Sequence, residues 1–151
     1  MDIEFGIDPE KDGIDHINVY SKGRTQLGRW MSNFTESPFK SPNHGYFSSI
    51  EGYWYWLKTG LKHDNLRGLS GYEAKKVGRL YQPVPIDEDA FKECIKEAMI
   101  MKTISDDLHR NLLATSTLPF IHYYVKNGVV IPKDGSIWQM DEWENIRLLL
   151  K

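Results

Sequence analysis

The chain has 151 residues, a formal net charge of -2 and a pI near 6.2, so it can bury a sizeable core and offers no general attraction to duplex nucleic acid or an anionic membrane. No apolar run is long enough to span a bilayer. The start MDIEFGIDPEKDGID is acidic and lacks the basic and apolar segments of a signal peptide, which predicts a cytosolic (cytoplasmic) protein.

Residues 1–15 read as a loosely held acidic arm broken by Gly6, Pro9 and Gly13, ahead of one domain over 16–151. Ile17-Asn18-Val19-Tyr20 alternates apolar and polar residues as a short strand does, and a loop follows around Gly23 and Gly28. In Trp30-Met31-Ser32-Asn33-Phe34, Asn33 suits either a left-handed turn or an amide offered to a ligand.

The stretch YFSSIEGYWYWLKTGLK organises the rest. Ser48, three residues before Glu51, predicts a capping box that opens a helix, with Glu51 in its first turn. Ile50, Tyr53, Trp54, Leu57 and Leu61 then share an apolar stripe, and Glu51, Tyr55, Lys58 and Lys62 share the stripe beside it. Trp54, Tyr55 and Trp56 follow the carboxylate too closely to enter one core together. With 13% aromatic residues in the chain, exposed or pocket-lining rings are expected. A carboxylate beside aromatic walls is partly desolvated, and its raised pKa suits proton transfer or a position facing a developing cation. The alternative is that Glu51 only caps its helix.

A polar connection containing His63, Asp64 and Asn65 leads to a second helix, opened by Ser70 with Glu73 three residues on and stopped by Pro83 and Pro85. Ala74 and Gly78 leave a flat strip on it where another backbone can approach. Asp87 starts the longest helix, with Phe91, Ile95, Ala98 and Lys102 in line. Cys94 lies beside these positions and, with no second cysteine to pair with, reads as a buried structural thiol. Ser105-Asp106-Asp107 restarts a short helix carrying Leu108, Leu112 and Leu113. Phe120 to Val125, then Asn127-Gly128, then Val129-Val130-Ile131 predict a hairpin. Asp141 is expected to cap a last helix that turns Trp143, Ile146 and Leu150 inward.

The five histidines, at 16, 44, 63, 109 and 122, lack the close spacing of a zinc or iron site, so no metal and no cofactor are predicted. There is no GxGxxG, phosphate-binding P-loop or GxSxG segment.

Five segments in order, INVYS (17–21), WMSNF (30–34), SIEGYWYWLK (49–58), AKKVGR (74–79) and LLATS (112–116), make the chain resemble the NADAR or YbiA-like family. Glu51 and Lys58 keep the family's seven-residue spacing, and the resemblance covers about two thirds of the chain. It implies a mainly helical (α+β) fold with a short N-terminal strand and a C-terminal hairpin. It further implies an ADP-ribose-like or ribosylated nucleotide ligand and hydrolysis of an N-glycosidic bond, as in clearing riboflavin-pathway intermediates or removing ADP-ribose from guanine. By the same resemblance Glu51 is the catalytic carboxylate, Ser32, Asn33 and Phe34 border the pocket, and Lys58 holds the anionic ligand or orients Glu51. Trp54 or Tyr55 stacks on the base. Trp138, Asp134 or Asp141 is the candidate substitute in a pocket rebuilt where the chain departs from the family. The C-terminal third departs from the family pattern. His122 stands where an acid is usual, the last segment reads DGSIWQMDEWENIRLLL without the family's asparagine-leucine-glycine signature, and YQPVPIDEDAF lacks its tryptophan.

Three readings are open: an N-glycosidic hydrolase centred on Glu51, a catalytically silent domain that binds or sequesters a nucleotide-like ligand, and an interaction protein using surface aromatics such as Trp56.

Overall fold

A computed structural model describes residues 6–151, which divide into two units, one built from residues up to Ser32 together with Asn111–Lys151 and the other from Asn33–Arg110. In chain order the elements are β1 (Ile17–Asn18), α1 (Gln26–Met31), β2 (Phe39–Ser41), β3 (Gly45–Phe47), α2 (Ile50–Lys58), α3 (Gly71–Gly78), α4 (Glu88–Ile104), α5 (Asp107–Thr115), β4 (Phe120–Ile121), β5 (Tyr123–Lys126), β6 (Val129–Pro132) and α6 (Ile137–Leu149). Single 3-10 turns lie at Pro9–Lys11, Asp64–Gly68 and Asp134–Ser136. The architecture is mainly helical with short strands, the class predicted from the sequence. None of the described helices is long and apolar enough to cross a membrane.

The Asn33–Arg110 unit is built on α2. Ser49, not Ser48, caps it: the Ser49 backbone is extended, and its hydroxyl accepts from the Gly52 N–H at 3.1 Å while donating to the Leu69 carbonyl at 2.8 Å. Ser48 instead spends its backbone groups on Ser37 and Arg67. Gly52 has to be glycine, since a Cβ there would lie 2.5 Å from the Leu66 carbonyl oxygen. The buried face of α2, with Ile50, Tyr53, Trp56 and Leu57, meets Phe39 and Phe47 of the β2–β3 hairpin, and α4 adds the buried Phe91, Ile95, Ala98 and Met99. Leu61, expected on that stripe, is exposed because the helix has ended at Lys58. The long helix starts where predicted, with the Asp87 carboxylate accepting from the Ala90 N–H at 2.8 Å. Cys94 on that helix is half-buried, beside the Tyr53 hydroxyl.

In the other unit β1 pairs with β4 in parallel, Ile17 opposite Phe120, across about a hundred residues of chain. Of the predicted arm, residues 1–5 lie outside the described residues. The following residues are tied down at Asp12, which is buried and accepts from the N–H groups of Asn18 at 2.9 Å and Arg24 at 2.8 Å. The glycine loop expected around Gly28 is helix α1, capped by Thr25. Its six residues are too few to show a period. Gly28 lies so close to β1 that a Cβ would sit 2.3 Å from the Asn18 carbonyl oxygen.

The β5–β6 hairpin forms as predicted, with Asn127 at φ 53 and Gly128 at φ 77 supplying the left-handed turn that two-residue hairpins need. The last helix begins at Ile137, so Asp141 lies within it and is not its cap. Trp143 and Ile146 do turn inward, and Trp143 meets Trp30 with ring centroids 5.6 Å apart.

The cap assignment makes a prediction: Ser49→Ala loses a cap and a buried hydroxyl bond and is expected to cost about 1–2 kcal/mol. Ser48→Ala is expected to change stability by under about 0.5 kcal/mol, and urea denaturation of the two variants checks the difference.

Candidate functional site

With the cap one residue later than a capping box requires, the Glu51 side chain is released from capping. Its own N–H, one of the orphan donors of the first turn, bonds to the Asn33 carbonyl at 2.9 Å. The turn that contains Asn33 and Phe34 is thereby fixed against the start of α2.

The Glu51 carboxyl is half-buried, and burial pushes its pKa up to about 7 even though the charges of Lys75 and Arg79 act in the opposite direction. Desolvation therefore outweighs two nearby cations. The result is a carboxyl group present in both protonation states at neutral pH, the range in which a proton donor and acceptor is most effective.

Both cations come from α3, which is held against α2 by small residues. Ala74 and Gly78 are buried, and a Cβ at Gly78 would fall 2.3 Å from Cγ of Tyr55. The flat strip expected from their spacing does receive a neighbour, and that neighbour is the Tyr55 ring. Tyr55 accordingly acts as the contact between the two helices. Lys75 and Arg79 each follow one of these small residues and so lie together on an adjacent face of α3. The Lys75 ammonium also lies 5.9 Å from the centre of the Phe34 ring. The capping bond expected from Ser70 is not made, although α3 does start there.

Lys58 lies two turns along α2 from Glu51, which at helical rise is a separation of about 10 Å along the axis. Its ammonium stands over the rings of Phe91 at 4.6 Å and Trp54 at 5.4 Å, and those rings meet edge to face at 4.7 Å. Two aromatic faces hold the cation in place while the side chain stays half-exposed. The Lys58 carbonyl accepts from the Val84 N–H at 2.9 Å, which ties the proline segment after α3 to the end of α2.

Of the residues singled out in the sequence, Asn33, Phe34, Glu51, Trp54, Tyr55 and Lys58 belong to the same unit. Ser32, buried at the end of α1, and Trp138, half-buried on α6, belong to the other. Trp56 is not a surface aromatic: it is 4% exposed, and its indole N–H donates to Asp64 at 3.0 Å. Sequence reading missed Lys75 and Arg79 as site residues although it noted their segment, AKKVGR. Their four-residue spacing puts them on one helix face, but only the packing of α3 on α2 brings that face to Glu51.

Among the described residues, no group of three or more histidine, cysteine, aspartate or glutamate side chains is placed to hold a metal ion.

Burial of Glu51 carries a consequence for stability. Its carboxyl binds a proton more tightly folded, at about 7, than at the ordinary 4.5, so its contribution to stability falls as pH rises through that window. Glu51→Gln, which cannot ionise, is expected to gain Tm relative to wild type from about pH 5 to about pH 8. A Tm difference that stays constant over that range in thermal melts would show that the carboxyl is not desolvated.

No protein-family model matches the chain, and no curated protein matches it. Among solved structures, the chain is similar to the NMR structure of the E. coli protein YbiA, with a TM-score of 0.65 and 19% sequence identity, over 95% of this chain and 93% of that one. The chain therefore has the YbiA fold.

Proposed function

We propose that the chain is a hydrolase that cleaves an N-glycosidic bond in an ADP-ribosyl or related ribosylated nucleotide substrate, with Glu51 as its catalytic carboxylate. The observation that carries this reading is the placement of Glu51: free of capping and half-buried beside Lys75 and Arg79, where burial raises its pKa against both cations. Breaking a bond at ribose C1′ builds positive charge on the sugar, and a carboxylate facing that charge stabilises it and orients the attacking water. A desolvated carboxylate does so more strongly than one in water. The fold shared with YbiA agrees with the five sequence segments that resemble its family.

In this reading Asn33 and Phe34 border the sugar, with Ser32 beside them in the chain, and Trp54 offers a face for a planar base. Lys58, already seated on Trp54 and Phe91, supplies a fixed positive charge two turns from the carboxylate. Tyr55 contributes by setting the α2–α3 spacing, and Trp138 is assigned to the ligand only as a substitute for family residues that the C-terminal third lacks.

A second reading, a catalytically silent binder of a nucleotide-like ligand, draws on His122. Where the resembling family has an acid, this chain has an imidazole whose buried Nδ1 has no hydrogen-bond partner among the described residues. Burial and the Lys133 charge hold the ring toward its neutral form, against a hydrogen bond to Val19 that acts the other way. An uncharged group there does not do an acid's work.

Incubation with ADP-ribosylated guanosine, with chromatography of the products, separates the two. The hydrolase is expected to release guanosine and free ADP-ribose, and Glu51→Gln to reduce the rate by about 100-fold or more while keeping fold and affinity. Equal rates for wild type and variant would reduce Glu51 to a structural residue. Binding with no guanosine released by either protein would favour the silent binder.

A further inference from the structure

Lys75 and Arg79 lie four residues apart on α3, a spacing that sets their side chains next to each other on the helix surface. Among the described residues neither forms an ion pair within 4.0 Å: Lys75 rests over the Phe34 ring at 5.9 Å, and Arg79 is exposed at the end of its helix. Two cations are thus held beside a single half-buried carboxyl without being committed to it. The other elements packed on α2, namely α4, β3 and the 3-10 turn at Asp64–Gly68, add no charge that acts on Glu51. In that 3-10 turn Asp64 and Arg67 are bonded to each other.

We propose that Lys75 and Arg79 are the seat for a phosphate group of the ribosylated ligand, and that filling this seat is linked to proton uptake by Glu51. This rests on the N-glycosidase reading and extends it to the order of charge events at the site. In the free protein the two cations favour the carboxylate and oppose the effect of burial. A bound phosphate neutralises their field, burial is left unopposed, and the carboxyl takes a proton from solvent. The site is then armed by its own substrate. As the C1′–N bond breaks, its electron pair goes to the base nitrogen and the Glu51 proton passes to the leaving base, which leaves the Glu51 carboxylate facing the charge that develops at C1′. Water adds to C1′, and the proton it loses returns to the Glu51 carboxylate. Substrate and water thus yield free base and ribosyl hydroxide with Glu51 unchanged. Ligands without the phosphate leave a larger share of Glu51 ionised and are discriminated against in the chemical step as well as in binding.

The test is a calorimetric titration with ADP-ribose at about pH 7.5 in two buffers of different ionisation enthalpy, which counts the protons exchanged on binding. ADP-ribose suits this because its diphosphate is a diester with no proton to exchange near neutrality. If the bound phosphate raises the Glu51 pKa by about one unit, roughly half a proton is taken up per ligand. Glu51→Gln is expected to bind ADP-ribose with no buffer-dependent heat, and Lys75→Gln with Arg79→Gln to weaken binding by about tenfold or more. Adenosine, which carries no phosphate, is expected to cause no proton uptake. The link is overturned by buffer-independent heat in the wild type, by uptake that persists in Glu51→Gln, or by absence of ADP-ribose binding. Affinity unchanged in the Lys75/Arg79 double variant would overturn the seat. Failure of the link with Glu51-dependent base release intact leaves the N-glycosidase reading standing. Proton-linked binding without base release removes that reading and keeps the seat.

Discussion

The start of α2 is fixed by one hydroxyl group. Ser49 Oγ closes the first turn by accepting from Gly52, and it reaches out of the helix to the Leu69 carbonyl, which fastens the connection leading into α3. Because the cap is Ser49, Glu51 stands at the second helical position. Its N–H goes to Asn33, and its carboxyl has no structural bond to make to the helix end. One serine thus sets three things together: where the helix begins, how α3 is led back beside it, and that the carboxyl is available.

Charge and burial oppose each other around that carboxyl, and burial wins. Packing by small residues, Gly52 on the Leu66 carbonyl and Gly78 on the Tyr55 ring, lets the neighbouring backbone and helix come close to α2. Water exclusion destabilises the carboxylate, and Lys75 and Arg79 stabilise it, with burial the larger effect. Any further charge placed beside this group adds to or subtracts from that net effect. Lys58 is the contrasting case. Its cation is held by aromatic faces, is fixed in position, and shows how the surplus of rings next to Glu51 is used: Trp56 in the core, Tyr55 between helices, Trp54 beneath the ammonium.

The sequence revealed the helical class, the long α4 helix from Asp87 and the β5–β6 hairpin, because those signals are local: a period, a capping carboxylate, an Asn-Gly pair. The capping serine was not legible, since Ser48 and Ser49 are adjacent and only Ser48 has the capping-box spacing to Glu51. The bond that decides between them comes from Leu69, twenty residues on. Trp56 was misread for a similar reason, as its burial depends on Asp64 and the β3 strand and a nine-residue helix cannot specify it. The parallel pairing of β1 with β4 joins segments that carry no mutual signal in the chain. Glu51 itself was legible as a carboxylate among aromatics. The two cations that govern its titration were not, because their relevance arises only when α3 docks on α2. Ser32 was named from the resemblance and Trp138 as a substitute where the chain departs from it, and the structure assigns both to the unit that does not contain Glu51.

The measurement that tests the account most directly is a carboxyl carbon NMR titration of Glu51 in the wild type and in the Lys75→Gln, Arg79→Gln double variant. The account predicts a midpoint of about 7 in the wild type, moving to higher pH when the two cations are removed. A wild-type midpoint near the ordinary 4.5, or one indifferent to the loss of both cations, would contradict it.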